Sequence, residues 1–155
     1  VFGMYGELRN AKTVARLMVQ ERGNRPFART EDVKTVLHKV APRGKENKYF
    51  AQVFQALRIE VNHEMTALEN FLHQTGEVLK VGGRLVVMSY HSLEDRMVKN
   101  YINKGKVYGE VEKDFYGHEI RPFRAVNRKP IEPSGEEIEG NKRARSARLR
   151  VAEKI

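Results

Sequence analysis

The stretch "LKVGGRLVVMSYHSLEDR", residues Leu79–Arg96, decides the fold. A Gly-Gly pair ends a long helical pattern, and the aliphatic run Leu85–Met88 then has the composition of a strand. Because polar residues do not alternate with apolar ones in this run, we expect the strand to be buried on both faces. A helix, a Gly-Gly turn and a buried strand in succession are typical of an α/β protein. We therefore predict an α/β fold.

Polar side chains follow the predicted strand directly, in the segment "SYHSLEDR". In open α/β sheets, ligands collect where strands end and helices begin, because backbone donors and the helix dipole converge there. The candidate site residues are His91, Ser92, Glu94 and Asp95. The pair Ser92 and Asp95 also has the spacing of a capping box, so a purely structural role for this segment stays open.

Helical periodicity dominates the residues before this stretch. Apolar residues three or four positions apart over residues 49–79 predict one long helix, or two with a break near Asn62 or Gly76. Shorter helices are predicted over about residues 7–22 and behind an N-cap at Thr30.

A polar stripe formed by Gln55, Arg58 and Asn62 runs along the long helical pattern. Such a stripe is either a hydrogen-bonding or solvated helix face, or the wall of a groove that binds a substrate. The sequence leaves both interpretations open.

The last third of the chain is rich in Gly, Pro and charged residues. Two strand-like segments stand out there, "RPFRAVNRKPI" at 121–131 and "SARLRVAEK" at 146–154. In the second, apolar and charged residues alternate, which predicts a half-exposed strand. Its apolar positions are Ala147, Leu149 and Val151, and its charged positions are Arg148 and Arg150. The polar segment between the two, residues 132–145, is predicted to be a loop.

Composition limits the possible function. The 155 residues suffice for about one domain, and 29 Lys and Arg against 20 Asp and Glu give a net charge of +9. This excess favours a polyanionic partner, most simply nucleic acid, although a merely basic surface is the alternative. The absence of cysteine excludes disulfide scaffolds and thiol nucleophiles. No apolar run is long enough to cross a bilayer, which is compatible with a cytoplasmic protein and no membrane partner.

Missing motifs exclude several enzyme classes. There is no G-x-S-x-G elbow of a serine hydrolase, and His63 and His73 lie too far apart for a helical metal-ligand pair, so no metal site is predicted. Gly82 and Gly83 precede a strand instead of following one, which excludes a glycine-rich phosphate or dinucleotide loop. We therefore assign no cofactor-binding residue in this chain.

Short segments along the whole chain carry a resemblance to a known family. They are "YGEL" at 5–8, Pro42-Arg43, "FQALRI" at 54–59, "VN" at 61–62, "GGRL" at 82–85, "HSLEDR" at 91–96 and "RARSARLRVAE" at 143–153. Together they are similar to the RsmH/MraW family of S-adenosylmethionine-dependent methyltransferases. That family methylates the exocyclic N4 of a cytosine in the decoding centre of small-subunit ribosomal RNA.

The resemblance implies a division of the chain. Residues 1–62 would be part of a helical substrate-recognition insertion, and residues 63–155 the C-terminal portion of a Rossmann-like class I methyltransferase sheet. Arg84–Tyr90 would then be the fifth strand, and the two late strand-like segments the sixth and seventh. The family's amino-terminal half, with its methionine-donor loop and catalytic segment, has no counterpart here. We therefore expect a fragment that does not methylate alone.

The resemblance also implies S-adenosylmethionine as cofactor, bound mostly outside this fragment, and the ribosomal small subunit and its RNA as partners. His91, Ser92 and Glu94 or Asp95 would border the pocket for the target nucleotide. The RNA-binding candidates are Gln55, Arg58, Asn62, Arg96, Arg121, Arg124, Arg128, Arg143 and Arg145. A non-enzymatic basic RNA-binding module, or a class I methyltransferase with another substrate, is the alternative. A sheet edge exposed by truncation would favour a homodimer.

Overall fold

The computed structural model describes all 155 residues and shows the predicted α/β class. The helices are α1 (Ala11–Asn24), α2 (Thr30–Leu37), α3 (Glu46–Val61), α4 (Glu64–Val78), α5 (Ser92–Lys104) and α6 (Gly135–Gly140), with a 3₁₀-helix over Lys142–Ser146. The strands are β1 (Arg84–Ser89), β2 (Glu112–Lys113), β3 (Glu119–Ile120), β4 (Phe123–Ala125) and β5 (Arg148–Lys154). None of the helices has the length and apolar character that spanning a membrane requires. The chain divides into two compact units, Val1–Glu64 and Met65–Ile155.

The first unit is helical and has its own hydrophobic core. The side chains of Val14, Leu37 and Val53 are fully buried there, one from each of its three helices α1, α2 and α3. A partly buried hydrogen bond joins α3 to the residue before α1, because the Tyr49 hydroxyl donates to Asn10 Oδ1 at 3.0 Å. The apolar periodicity seen in the sequence therefore marks the faces that meet in this core.

Helix α2 begins one residue earlier than predicted. Asp32 Oδ2 accepts hydrogen bonds from the backbone N–H groups of Ala28 and Arg29, both at 2.9 Å. Arg29 therefore occupies the N-cap position and Thr30 is the first helical residue, so the predicted N-cap at Thr30 is wrong. The Asp32 carboxylate thus holds the two residues that precede the helix, and the Thr30 side chain does not act as the cap.

The long helical pattern of residues 49–79 is broken at Asn62 and His63. Helix α3 ends at Val61. His63 has a φ of +51°, in the left-handed region, and a right-handed α-helix cannot continue through a residue with this conformation. The predicted break near Asn62 is confirmed, whereas Gly76 lies inside α4.

The second unit contains a three-stranded antiparallel sheet in the order β1-β5-β4, with the last strand of the chain in the middle. Helix α5 packs on one face of this sheet, where Leu85, Phe123 and Ala152 are buried. On the opposite face, Val86 and Met88 are 55% and 52% exposed. The prediction that β1 is buried on both faces is therefore wrong, because only one face of the strand is covered.

The polar segment 132–145 is not a plain loop as predicted. It contains α6 and leads into the 3₁₀-helix. The Ser134 hydroxyl accepts from the Glu137 N–H at 3.1 Å, and Asn141 Oδ1 accepts from the Arg143 N–H at 3.1 Å. These caps stabilise short helical turns that hydrophobic periodicity does not reveal.

Gly105 ends α5 in a conformation that requires glycine. Its φ is +71°, and a Cβ atom at this position would lie 2.9 Å from the carbonyl oxygen of Ile120. Gly109 has a similar φ of +84° but no atom within 4 Å of the corresponding position.

We expect Gly105→Ala to destabilise the protein by about 2 kcal/mol or more, because strain of about 1 kcal/mol from the positive φ adds to a clash with backbone. Gly109→Ala is the matched control and should show the strain alone. The measurement is denaturant unfolding of both variants. Equal losses of stability would show that the close approach to Ile120 is not limiting.

Candidate functional site

The connection between β1 and α5 is capped by its own side chains. His91 is the N-cap residue, and its Nδ1 accepts a hydrogen bond from the Glu94 N–H at 3.3 Å. In return, Glu94 Oε2 accepts from the N–H groups of Tyr90 and His91, at 2.8 and 3.3 Å. This is a reciprocal capping box, so the predicted cap at Ser92 is wrong. Ser92 is the first helical residue, and its predicted partner Asp95 is engaged elsewhere.

Glu94 is a partly exposed carboxylate that stays ionised. Burial alone would raise its pKa, but the His91 ring and the hydrogen bonds from the Tyr90 and His91 N–H groups outweigh this effect and lower the pKa. Because Nδ1 of His91 is an acceptor, the neutral ring carries its proton on Nε2. That buried nitrogen lies 3.3 Å from Glu94 Oε1, without the alignment of a hydrogen bond.

Asp95 forms a buried ion pair with the middle strand of the sheet. Its two oxygens accept from Nε and Nη2 of Arg150, at 2.7 and 3.0 Å, and Arg148 lies 3.4 Å away. The side chains of Asp95 and Arg150 are each only 9% exposed. Burial would raise the pKa of Asp95, but the two guanidinium groups outweigh it, and the pKa lies below its usual value. Asp95 therefore holds α5 against β5.

Arg150 was not among the predicted site residues, and the alternation in β5 does not mark its role. The strand itself is confirmed, but Arg150 and Ala152 lie on its buried side, while Leu149 and Val151 are half-buried. The charged side chain is buried because Asp95 neutralises it there. Only the tertiary pairing could have identified this arginine.

Ser92 points into solvent at the start of α5, and its hydroxyl makes no hydrogen bond within the chain. The hydroxyl and the ionised carboxylate of Glu94 are both hydrogen-bond acceptors at the exit of β1, where the strand leads into α5. A phosphate at the helix start would meet the negative charge of Glu94, which already occupies the positive end of the helix dipole. The exit therefore favours a ligand that donates hydrogen bonds over an anion.

The polar stripe of the first unit is engaged in internal hydrogen bonds. Gln55 Nε2 donates to the Tyr5 carbonyl at 3.4 Å. Arg58 forms a bidentate pair with Glu64 at 2.7 and 3.0 Å, and Asn62 donates to the same carboxylate at 3.5 Å. These contacts agree with the structural interpretation of the stripe, and its role in RNA binding stays a prediction.

The predicted arginines of the second unit differ in their contacts. Arg121 is paired with Glu119 at 3.4 Å, and Arg124 with Glu153 at 2.9 Å. Arg96 is an exposed residue of the first turn of α5. The exposed members of the predicted set that form no ion pair are Arg128, Arg143 and Arg145. All three lie between β4 and β5, and they offer guanidinium groups to a polyanion.

A cavity of about 610 Å³ opens in the second unit, away from the predicted pocket residues. It is lined by Met88, Tyr90, Ile131, Leu149 and Arg143, among others, and by none of the residues from His91 to Asp95. Its lining comes from the exposed face of the sheet and from the segment before β5. Arg143 is the one predicted RNA-binding candidate in its lining.

Comparison with known proteins places these observations in a family context. The model of the MraW methylase family matches residues 1–155. Ribosomal RNA small subunit methyltransferase H from Cytophaga hutchinsonii is 59% identical over 154 residues, which are 99% of this chain and 51% of that protein. The proteins of the same name from Flavobacterium johnsoniae and Parabacteroides distasonis are 53% and 50% identical over 155 residues, all of this chain and 51% of each relative. The chain thus spans about half the length of these curated relatives.

We expect Asp95→Asn to destabilise the second unit by about 3–5 kcal/mol, because it leaves the buried Arg150 guanidinium without its counter-charge. The measurement is denaturant unfolding at pH 7. Glu132→Gln is the matched control, since the Glu132 side chain is 63% exposed, lies 3.6 Å from Arg148 and should contribute less than about 0.5 kcal/mol.

The pH dependence follows from the lowered pKa of Asp95. A carboxylate whose pKa is lower in the folded state stabilises the fold above its unfolded pKa of about 3.9, and this contribution disappears as the pH falls through the folded value. The difference in the free energy of unfolding between the wild type and Asp95→Asn should therefore become smaller below about pH 4. A constant difference down to pH 2 would contradict the ion-pair explanation.

Proposed function

The chain belongs to the MraW methylase family, as its sequence resemblance indicated, and from this premise we propose that it is part of a ribosomal RNA methyltransferase. In this proposal the whole enzyme transfers a methyl group from S-adenosylmethionine to N4 of a cytosine in small-subunit RNA. The observation that carries it is identity of 50–59% to proteins named for small-subunit ribosomal RNA methylation. The net charge of +9 supports an RNA partner. A protein that acts on ribosomal particles would be located in the cytoplasm.

The reaction requires hydrogen-bond acceptors around a weak nucleophile. The lone pair of the cytosine amine is delocalised into the ring, so the enzyme gains most from holding the amine in line with the methyl group. The amine protons need acceptors, and carboxylates and hydroxyls are suited to reading cytosine N4. At the exit of β1, the Ser92 hydroxyl and Glu94 Oε1 are such acceptors. We assign these two to the target-nucleotide pocket, with His91 orienting Glu94.

Asp95 has a different role in this proposal. Because its carboxylate is held by Arg150 and Arg148, it positions the first turn of α5 and does not touch the base. Ser92 and Glu94 are both in that turn. The ion pair therefore sets the direction in which the two acceptors point.

The residues of this chain do not fit the methyl donor by themselves. Gly82 and Gly83 precede β1, and the carboxylate of Glu94 occupies the connection from β1 to α5. We therefore assign no residue to S-adenosylmethionine and expect its site in the part of the relatives' length that this chain does not cover. Residues 1–62 as a substrate-recognition insertion, and a homodimer favoured by an exposed sheet edge, remain predictions.

The test of this function is methyl transfer by the polypeptide of the relatives' full length, with small ribosomal subunits and labelled S-adenosylmethionine. Nucleoside analysis should recover the label as N4-methylcytidine. Label on another position or another base would refute the proposed substrate atom, and RNA binding without any transfer would favour a non-enzymatic RNA-binding module.

In the same assay, Ser92→Ala should lower kcat/KM about tenfold, the effect of one hydrogen bond worth about 1.4 kcal/mol. The melting temperature should not change, because the hydroxyl has no partner within the chain. Ser92→Thr keeps the hydroxyl and should restore most of the activity. Full activity of Ser92→Ala would remove Ser92 from the pocket.

The unpaired arginines predict the salt dependence of RNA binding. Replacing Arg128, Arg143 and Arg145 together by Gln should weaken binding and reduce the slope of log K against log salt by about 0.7–0.9 for each phosphate that is no longer neutralised. The matched control is Arg124→Gln, because Arg124 is already paired with Glu153. If Arg124→Gln reduced the slope by one third as much as the triple variant, each arginine would contribute equally and only net charge would matter.

A further inference from the structure

A short hairpin in the second unit presents two aromatic rings to solvent. The aromatic hairpin, residues Glu112–Ile120, consists of β2, a tight turn and β3, which pair antiparallel. At its turn, Phe115 is 97% exposed and Tyr116 is 82% exposed. Their rings contact each other edge to face, with centroids 5.6 Å apart.

The turn is held in one conformation by hydrogen bonds of its own. Asp114 Oδ1 accepts from the N–H groups of Tyr116 and His118, at 2.9 and 2.8 Å, while Oδ2 lies 3.0 Å from the His118 ring. The Asp114 N–H donates to the His118 carbonyl at 2.9 Å, and Gly117 adopts a φ of +87°. The two aromatic side chains are therefore displayed on an ordered turn.

Folding does not explain the two rings. Burying a phenylalanine side chain contributes about 1.5–3 kcal/mol to stability, and Phe115 forgoes nearly all of it. The only ring contacts of Phe115 and Tyr116 are within the turn itself. A polar residue at the tip would maintain the same backbone hydrogen bonds, so the aromatic character fits a binding partner better than the fold.

The carboxylates around the hairpin are engaged within the chain. Glu112 pairs with Lys106 and Glu119 with Arg121, while the Asp114 carboxylate accepts hydrogen bonds within the turn. Hydrogen bonds from the backbone and the His118 ring lower the pKa of Asp114, so its charge is stabilised within the turn. Lys113, beside the aromatic pair, forms no ion pair. A partner of this tip thus meets flat apolar rings and an unmatched cation.

We propose that the aromatic hairpin stacks on unpaired bases of RNA. This inference rests on the proposed RNA substrate and adds to it a contact that selects single-stranded segments. Bases stack readily on exposed aromatic side chains when they are not already stacked in a duplex, and the adjoining phosphates attract a cation such as Lys113. An apolar protein surface would not require the cation.

The chain has no tryptophan, so the fluorescence of a single tryptophan introduced by substitution reports on the surroundings of that position alone. In the 155-residue chain, the fluorescence of Phe115→Trp should be quenched by a single-stranded RNA 12-mer and not by a duplex of the same length. Phe71→Trp, at an aromatic position that is 46% exposed on α4, is the matched control and should show little change. Quenching equal at both positions, equal with duplex, or absent at position 115 would overturn the proposal.

Affinity measurements separate stacking from general apolar contact. Phe115→Ala and Phe115→Leu should both weaken binding of the single strand about fivefold or more, while Phe115→Trp should retain it. If Leu binds as well as Phe, the ring is not stacking, and a protein partner becomes the better explanation. Methyl transfer without quenching would refute only the hairpin contact. Quenching without methyl transfer would refute the proposed enzyme and leave the hairpin contact standing.

Discussion

The second unit depends on the buried ion pair between Asp95 and Arg150. It joins the first turn of α5 to β5, the middle strand of the sheet. Desolvation of two charges costs several kcal/mol per ion, and only close, bidentate geometry offsets that cost. The pair is therefore more effective in selecting one arrangement than in adding net stability. If β5 slipped by one residue against β1, Arg150 would move to the exposed face and leave Asp95 buried without a counter-charge.

This constraint also determines the chemistry of the strand exit. With Asp95 committed to Arg150, the helix start is capped by the reciprocal pair of His91 and Glu94, and Ser92 is left facing solvent. The exit consequently carries acceptors where many α/β sites carry donors for phosphate. An exocyclic amine donates two hydrogen bonds, so it has little affinity for a phosphate-binding site, which is itself lined with donors. The acceptor character of the exit thus supports an amine as target, independently of any relative's name.

Local patterns in the sequence were sufficient for much of this architecture. Helical periodicity predicted one long helix or two with a break near Asn62 or Gly76, and the structure has the break at Asn62. The Gly-Gly turn before Leu85 located β1 and the segment that leads from it into α5. Two capping pairs with identical spacing overlap in "HSLED", and the sequence could not distinguish them, because the choice depends on a partner 55 residues away. For the same reason, alternation in β5 could not show that Arg150 lies inward. The aromatic hairpin was missed because its strands are two residues long and its turn is stabilised by one aspartate.

The features assigned to RNA differ in what they can recognise. Unpaired arginines such as Arg143 bind phosphates of any sequence, and they give an affinity that falls with salt. Neither they nor the net charge can distinguish a duplex from an open strand. In a duplex, the N4 amine of cytosine is already hydrogen-bonded and its ring is stacked, so acceptors at Ser92 and Glu94 can serve only a base that has left the helix. Stacking on Phe115 has the same requirement. If both assignments hold, recognition and reaction select unpaired RNA through two contacts that each fail on a duplex. Phosphate binding adds affinity but does not distinguish the two forms.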